Sequence, residues 1–161
     1  MAAGQCTMNN FTFGNAQYQY YETISGGSGA GPGFDGTSVV QTHMTNSRLT
    51  DPEVLEFRFP VRLDSYAIRA GSGGAGQWRG GAGGVRRVRF LEAMTASILS
   101  NGRTVPAFGM DGGQPGALGI IRVERTDGRV ELLAHIGSAE MAPGDVFVVE
   151  TPGGGGYGEA R

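Results

Sequence analysis

Three glycine-dense stretches, over residues 25–36, 71–84 and 151–158, constrain this chain more than any other feature. Glycine fills 30 of its 161 positions, close to three times the usual share of about 7%. Such a chain is either disordered or folded around turns that need positive φ or very close backbone approach. A hydrophobic content of 39%, with Phe, Tyr, Val, Leu and Ile spread along the chain, favours the ordered alternative. The length fits one domain that buries roughly two-thirds of its unfolded surface.

The first stretch carries Gly31, Gly33 and Gly36 in the G-x-G-x-x-G spacing of a dinucleotide loop, with Asp51 and Glu53 where a ribose-binding acid is expected. Pro32 interrupts it, no alternating βαβ pattern follows, and Gly71, Gly73 and Gly76 repeat the same spacing by abundance alone. The simpler expectation is a loop whose backbone packs tightly against other segments. Lysine is absent and all 13 basic residues are arginine, which excludes a P-loop lysine or a Schiff-base lysine. Arg79-Gly80-Gly81, followed by Arg86, Arg87 and Arg89, has an RNA-binding composition. With a net charge of −2 the molecule has no field to gather nucleic acid, and a hairpin-like connection is the better reading.

Periodicity predicts a mainly β domain, sandwich- or barrel-like, with long glycine-rich loops and one or two short helices. Strands are expected around Phe11 and Phe13, over 18–24, 85–91, 96–99, 103–108, 118–125, 130–135 and 146–150. Asn9 and Asn10 read as turn formers. Strict alternation over 55–64, with Leu55, Phe57, Phe59, Val61 and Leu63 on one face, predicts a strand in which Pro60 marks an edge or bulge. Asn101-Gly102 and Asp127-Gly128 are hairpin signals. A short helix is expected over 37–46, and Asp51-Pro52 should break any helix. Opening directly on a strand suggests a preceding segment in a longer parent protein.

Polar residues concentrate over 42–53, where His43 suits a base, a ligand or a structural role alike. No second histidine lies nearby, and the single Cys6 forms neither a disulfide nor a cysteine-rich metal site, so no metal ligand is assigned. The first residues lack a charged-then-apolar leader and no run approaches 18 apolar residues, so a cytoplasmic location and no membrane partner are expected.

The stretches TMNNFTFGN (7–15), YYETISGGSGAGPGFDG (20–36), THMTNSRLTDPEVLE (42–56), IRAGSGGAGQWRGGAGGVRR (68–87) and TPGGGGYG (151–158) together resemble the hydantoinase B/oxoprolinase family. The resemblance is to its C-terminal portion. It implies ATP-dependent opening of a cyclic amide such as 5-oxoproline or a hydantoin. It further implies a hydantoinase A-type ATPase subunit that handles ATP and Mg2+, and the N-terminal remainder of the B-type chain as a second partner. In such a scheme His43 and Arg48 are the candidate catalytic residues, and Asn9, Asn10, Asn46 and Asp51 the candidate substrate contacts. Cys6 and Gln41 stand where the family pattern leads one to expect glycine and histidine. The resemblance equally admits a non-catalytic module that contacts the rest of the enzyme.

Overall fold

The computed structural model describes residues 1–5, 8–42 and 46–160. Among the described residues, nine strands form two antiparallel sheets that face each other as an open sandwich, not a closed barrel. The first contains β1 (Asn9–Gly14), β2 (Gln19–Thr23), β5 (Met94–Ser100) and β8 (Ile136–Met141), in the order β2-β1-β5-β8. The second contains β3 (Val61–Ile68), β4 (Gly84–Phe90), β6 (Ile120–Glu124), β7 (Val130–Leu132) and β9 (Val146–Glu150), in the order β3-β4-β9-β6-β7.

Side chains alternate across each strand, so one face of each sheet fills a shared core. Phe11 and Phe13 of β1 point inward, where Phe11 stacks on Phe147 of β9 at 4.8 Å and Phe13 meets Phe90 of β4 edge-on at 5.4 Å. Ala96, Ile98, Ile121, Val123 and Val149 complete the interior. The expected turn at Asn9 and Asn10 is instead the start of β1, because Asn9 is buried and its amide is held on both sides. Its Nδ2 donates to Ile24 O at 3.0 Å and its Oδ1 accepts from Arg103 Nη2 at 2.8 Å.

The clearest alternating stretch is not one strand. Residues Pro52–Arg58 form a helix, α1, and β3 begins only at Val61. Asp51 caps the helix by accepting from Glu53 N at 2.9 Å, and Pro52 occupies its first turn, where a missing N–H is harmless. Asp51-Pro52 therefore starts a helix rather than breaking one. Leu55 and Phe59, four residues apart, turn to the core, while Phe57 is 91% exposed, as a helical and not a two-residue period requires. Pro60 precedes β3, which is an edge strand. The helix expected over 37–46 is not found among its described residues; Val40 pairs as an isolated bridge with Gly26. Residues 103–108 likewise form no strand, and β8, with little strand propensity beyond Ile136, fills the edge beside β5.

The glycine stretches form a second body beside the sandwich. Residues 152–156 run through its middle and exchange backbone hydrogen bonds with four other segments: Gly27 and Ala30, Gly74 and Gly81, Met110, Gln114 and Ala117, and Ala3. Gly154 N donates to Gly81 O at 2.9 Å while Gly154 O accepts from Gly74 N at 2.8 Å. A Cβ at Gly27 would lie 1.8 Å from Gly81 O, so backbones approach to a spacing only glycine permits.

On the outer face of the five-stranded sheet the arginines are neutralised in a continuous chain of ion pairs, from Arg87 to Glu124, Arg122, Glu150 and Arg69. Arg89 pairs with Asp64 at 2.6 Å and buried Arg86 with Glu22, so Arg86, Arg87 and Arg89 of the run with an RNA-binding composition spend their charge within the fold. The hydrogen bonds from Arg87, then those from Arg122, hold the Glu124 carboxyl down at about 2. Its folded-state value lies below the unfolded one, so its stabilisation is present above the ordinary glutamate range and is lost as pH falls toward 2. Unfolding midpoints in urea should therefore fall through this window, and Glu124→Gln should flatten the dependence. Among the described residues no helix is long and apolar enough to cross a membrane.

Candidate functional site

Beside the edges where β2 and β3 approach, an open cleft of about 440 Å3 is lined by Val39, Val40, Gln41, Asn46, Ser47, Arg48 and Leu49 on one side and by Ser25 and Tyr66 on the other. One wall is tied to the glycine body. Val39 N donates to Ala82 O and Val40 N to Gly26 O, both at 3.0 Å, while Gln41 Nε2 donates to Thr23 O at 2.8 Å. Val39 adopts φ +50°, a left-handed conformation that is uncommon for a β-branched residue and that the flanking bonds enforce.

Beneath the cleft lies a buried polar network that joins the two sheets. Glu22 of β2 receives two hydrogen bonds from Arg86 of β4, 2.6 Å from Nε and 3.0 Å from Nη2, with both side chains almost fully withdrawn from water. The Arg86 guanidinium lies 5.3 Å from the centre of the Tyr66 ring. Tyr20 Oη donates to Glu22 Oε2 at 2.8 Å and sits 2.9 Å from Thr50 Oγ1. Burial, above all, pushes the Tyr20 hydroxyl up to about 12. Burial also raises Tyr66, against the lowering influences of its Ser25 hydrogen bond and of Arg86. Both phenols are therefore protonated donors at neutral pH.

The structure sorts the sequence candidates into separate places. Asn46 and Arg48 line the cleft together, with exposed side chains. His43 lies outside the described residues. Asn10 faces the outside of the four-stranded sheet, in a separate groove with Thr12, Tyr21 and Ser97, where its Oδ1 accepts from Thr23 Oγ1 at 3.1 Å. Asn9 is locked inside the sandwich, and Asp51 caps α1. Sequence reasoning missed Tyr66 and Ser25, because an aromatic in a strand and a serine before glycines read as ordinary core and turn residues.

The cleft offers hydrogen-bond donors of several kinds, namely a guanidinium, an amide and a phenol, next to a strained backbone turn. That set suits a polar, planar group that accumulates negative charge. The glycines do not add a phosphate cradle: the N–H groups of Gly31, Gly36, Gly74 and Gly81 all donate to carbonyls of the chain itself. Among the described residues no group of three or more His, Cys, Asp or Glu could hold a metal. Those four glycine N–H groups are thus not free to hold a phosphate of ATP.

The family model for hydantoinase B/oxoprolinase matches residues 1–160, and the chain belongs to that family. It is 43% identical over 158 residues to the 5-oxoprolinase of Dictyostelium discoideum, an alignment covering 98% of this chain and 12% of the relative. The chain therefore spans about an eighth of that protein's length. The nucleotide-free structure of acetone carboxylase, from work on ATP-dependent acetone carboxylation, superposes with a TM-score of 0.78 at 18% identity, covering 96% of this chain and 26% of that one. The ATP-dependent caprolactamase from Pseudomonas jessenii gives 0.70 at 23% identity, covering 96% and 30%. Both share the fold.

Proposed function

We propose that this chain is the C-terminal part of an ATP-dependent hydrolase that opens a cyclic amide, 5-oxoproline or a hydantoin, and that its cleft at Asn46, Arg48 and Tyr66 contacts the reacting ring. Family membership over residues 1–160 is the observation that carries the reading. Ring opening requires a base to activate water and donors aimed at the oxygen that becomes negative. Arg48, Asn46 and the protonated Tyr66 supply the donors, and His43 is the proposed base. ATP and Mg2+ belong to a hydantoinase A-type ATPase subunit, and the remainder of the B-type chain completes the enclosure around the substrate.

The test combines this chain with the remaining B-type portion and an A-type subunit and measures 5-oxoproline- or hydantoin-dependent ATP hydrolysis. Arg48→Ala and His43→Ala should each lower turnover by about 100-fold, the scale of one lost oxyanion donor or general base. Asp51→Ala should instead lose about 1 kcal/mol of stability, as for a helix cap, and leave turnover near normal. Unchanged turnover in the Arg48 and His43 variants rejects the site. A second reading, a non-catalytic module within the same enzyme, draws support from the glycine body, whose hydrogen bonds are satisfied within the chain. Turnover by this chain alone would exclude it.

A further inference from the structure

Among the described residues, Arg103 is the arginine that combines substantial burial with the lack of a carboxylate partner. Arg48, Arg58 and Arg79 also have none but are exposed, and every other described arginine is ion-paired. Its Nη1 donates to Asn101 O at 2.6 Å and its Nη2 to Asn9 Oδ1 at 2.8 Å, both neutral acceptors, while Nε is buried with no acceptor. The position is built rather than accidental. Gly119 forms the wall beside it, and a Cβ there would lie 2.2 Å from Nη1. The guanidinium borders a pocket of about 240 Å3 whose other walls include Ile120, Leu132, Leu133 and His135.

We propose that this pocket binds a carboxylate carried on an apolar group, with Arg103 as its charge partner and Ile120 and Leu132 against the apolar part. An unpaired, half-buried cation is unfavourable unless an anion completes it, and a guanidinium matches a carboxylate in two parallel hydrogen bonds. Desolvation, with a smaller contribution from the nearby Arg69 charge, lowers the Arg103 guanidinium to about 10, the direction expected of a cation withdrawn from water without an opposite charge beside it. Arg69 cannot compete for the same anion, since Glu150 already holds its Nε at 2.8 Å. None of the residues lining the cleft at Arg48 lines this pocket, so the two sites are separate.

The test is NMR titration of the arginine-15N-labelled chain with isovalerate, isovaleramide, inorganic phosphate and a capped Leu-Glu-Leu peptide whose only charge is its side chain. Isovalerate, the peptide or both should shift the Arg103 Nε–Hε signal saturably, while isovaleramide and phosphate should not. A response to the free acid alone assigns a small-molecule ligand; a response to the peptide assigns a polypeptide side chain. Arg103→Gln should abolish the effect on the remaining pocket signals. Should that variant fold poorly, Leu132→Asp, at a rim residue 74% exposed, should weaken binding by about tenfold or more through like-charge repulsion. No saturable shift with either carboxylate, equal shifts with isovaleramide or phosphate, or undiminished binding in both variants would overturn the proposal.

Discussion

Gly154→Ala is expected to destabilise the chain by about 4 kcal/mol or more, enough to consume much of the 5–15 kcal/mol typical of a domain. The added Cβ would lie 1.9 Å from Ser28 O and 2.3 Å from Ser28 C, both backbone atoms that no rotamer change can move. Overpacking of a tight interior contributes roughly 3 kcal/mol. Segments forced apart also lose hydrogen bonds such as Gly154 N to Gly81 O and Ala30 N to Gly155 O, each worth about 1 kcal/mol. Gly128→Ala is the control. Gly128 has φ +86° in the β6–β7 turn and open space where a Cβ would go, so its substitution should cost only the roughly 1–2 kcal/mol of a left-handed alanine. Urea unfolding of both variants followed by tryptophan fluorescence checks the contrast, since Trp78 bridges to Tyr157 within the glycine body. Equal midpoints for the two would show that close backbone packing is not what holds that body together.

Arg86→Met should be nearly as damaging, at about 3–5 kcal/mol, because it leaves the Glu22 carboxylate buried without its charge partner. Arg86 and Glu22 are 2% and 4% exposed at the side chain, so water cannot replace the lost hydrogen bonds without separating the two sheets where β2 faces β4. The Tyr66 ring would also lose the cation beside it, and the Tyr20 hydroxyl would keep Glu22 as an acceptor with no balancing charge. The double variant Arg86→Met/Glu22→Leu should recover most of the loss, since an apolar pair of similar volume often substitutes for a buried ion pair without penalty. A double variant no more stable than Arg86→Met alone would mean that the network, not charge burial, dominates. Unfolding free energies of the three variants decide the matter.

Much of the sandwich was legible in the sequence because alternation reports one buried face. Phe11 and Phe13, the 85–91 run and the Asp127-Gly128 hairpin lead directly to β1, β4 and the β6–β7 pair. The misreading at 55–64 has a definite cause. Leu55 and Phe59 are spaced by four, which satisfies both a two-residue and a helical period, and only the Asp51-Pro52 cap distinguishes them. β8 was hidden by IGSAEM, in which Ile136 alone has strong strand propensity and the other residues gain their place by pairing with β5. The glycine stretches announced close packing but not their partners, since segments without side chains carry no periodicity to match. Within the candidate site, Asn46 and Arg48 were singled out as polar residues of the family-like stretch 42–56, and both line one cleft. The Tyr66 side of the cleft was not, because it depends on which strand edge the loop at 46–49 comes to face.

The placement of the last strand has a kinetic consequence. β9 lies third of five in its sheet, between β4 and β6, and the residues just after it run through the centre of the glycine body, where Gly155 N reaches back to Ala3 O. Neither the larger sheet nor the glycine body can close until 146–158 is in position. The two bodies thus share one late, long-range closure step, of the kind that slows folding. A nascent chain halted before Val146 would hold β4 and β6 as unpaired edges, open to association with other chains.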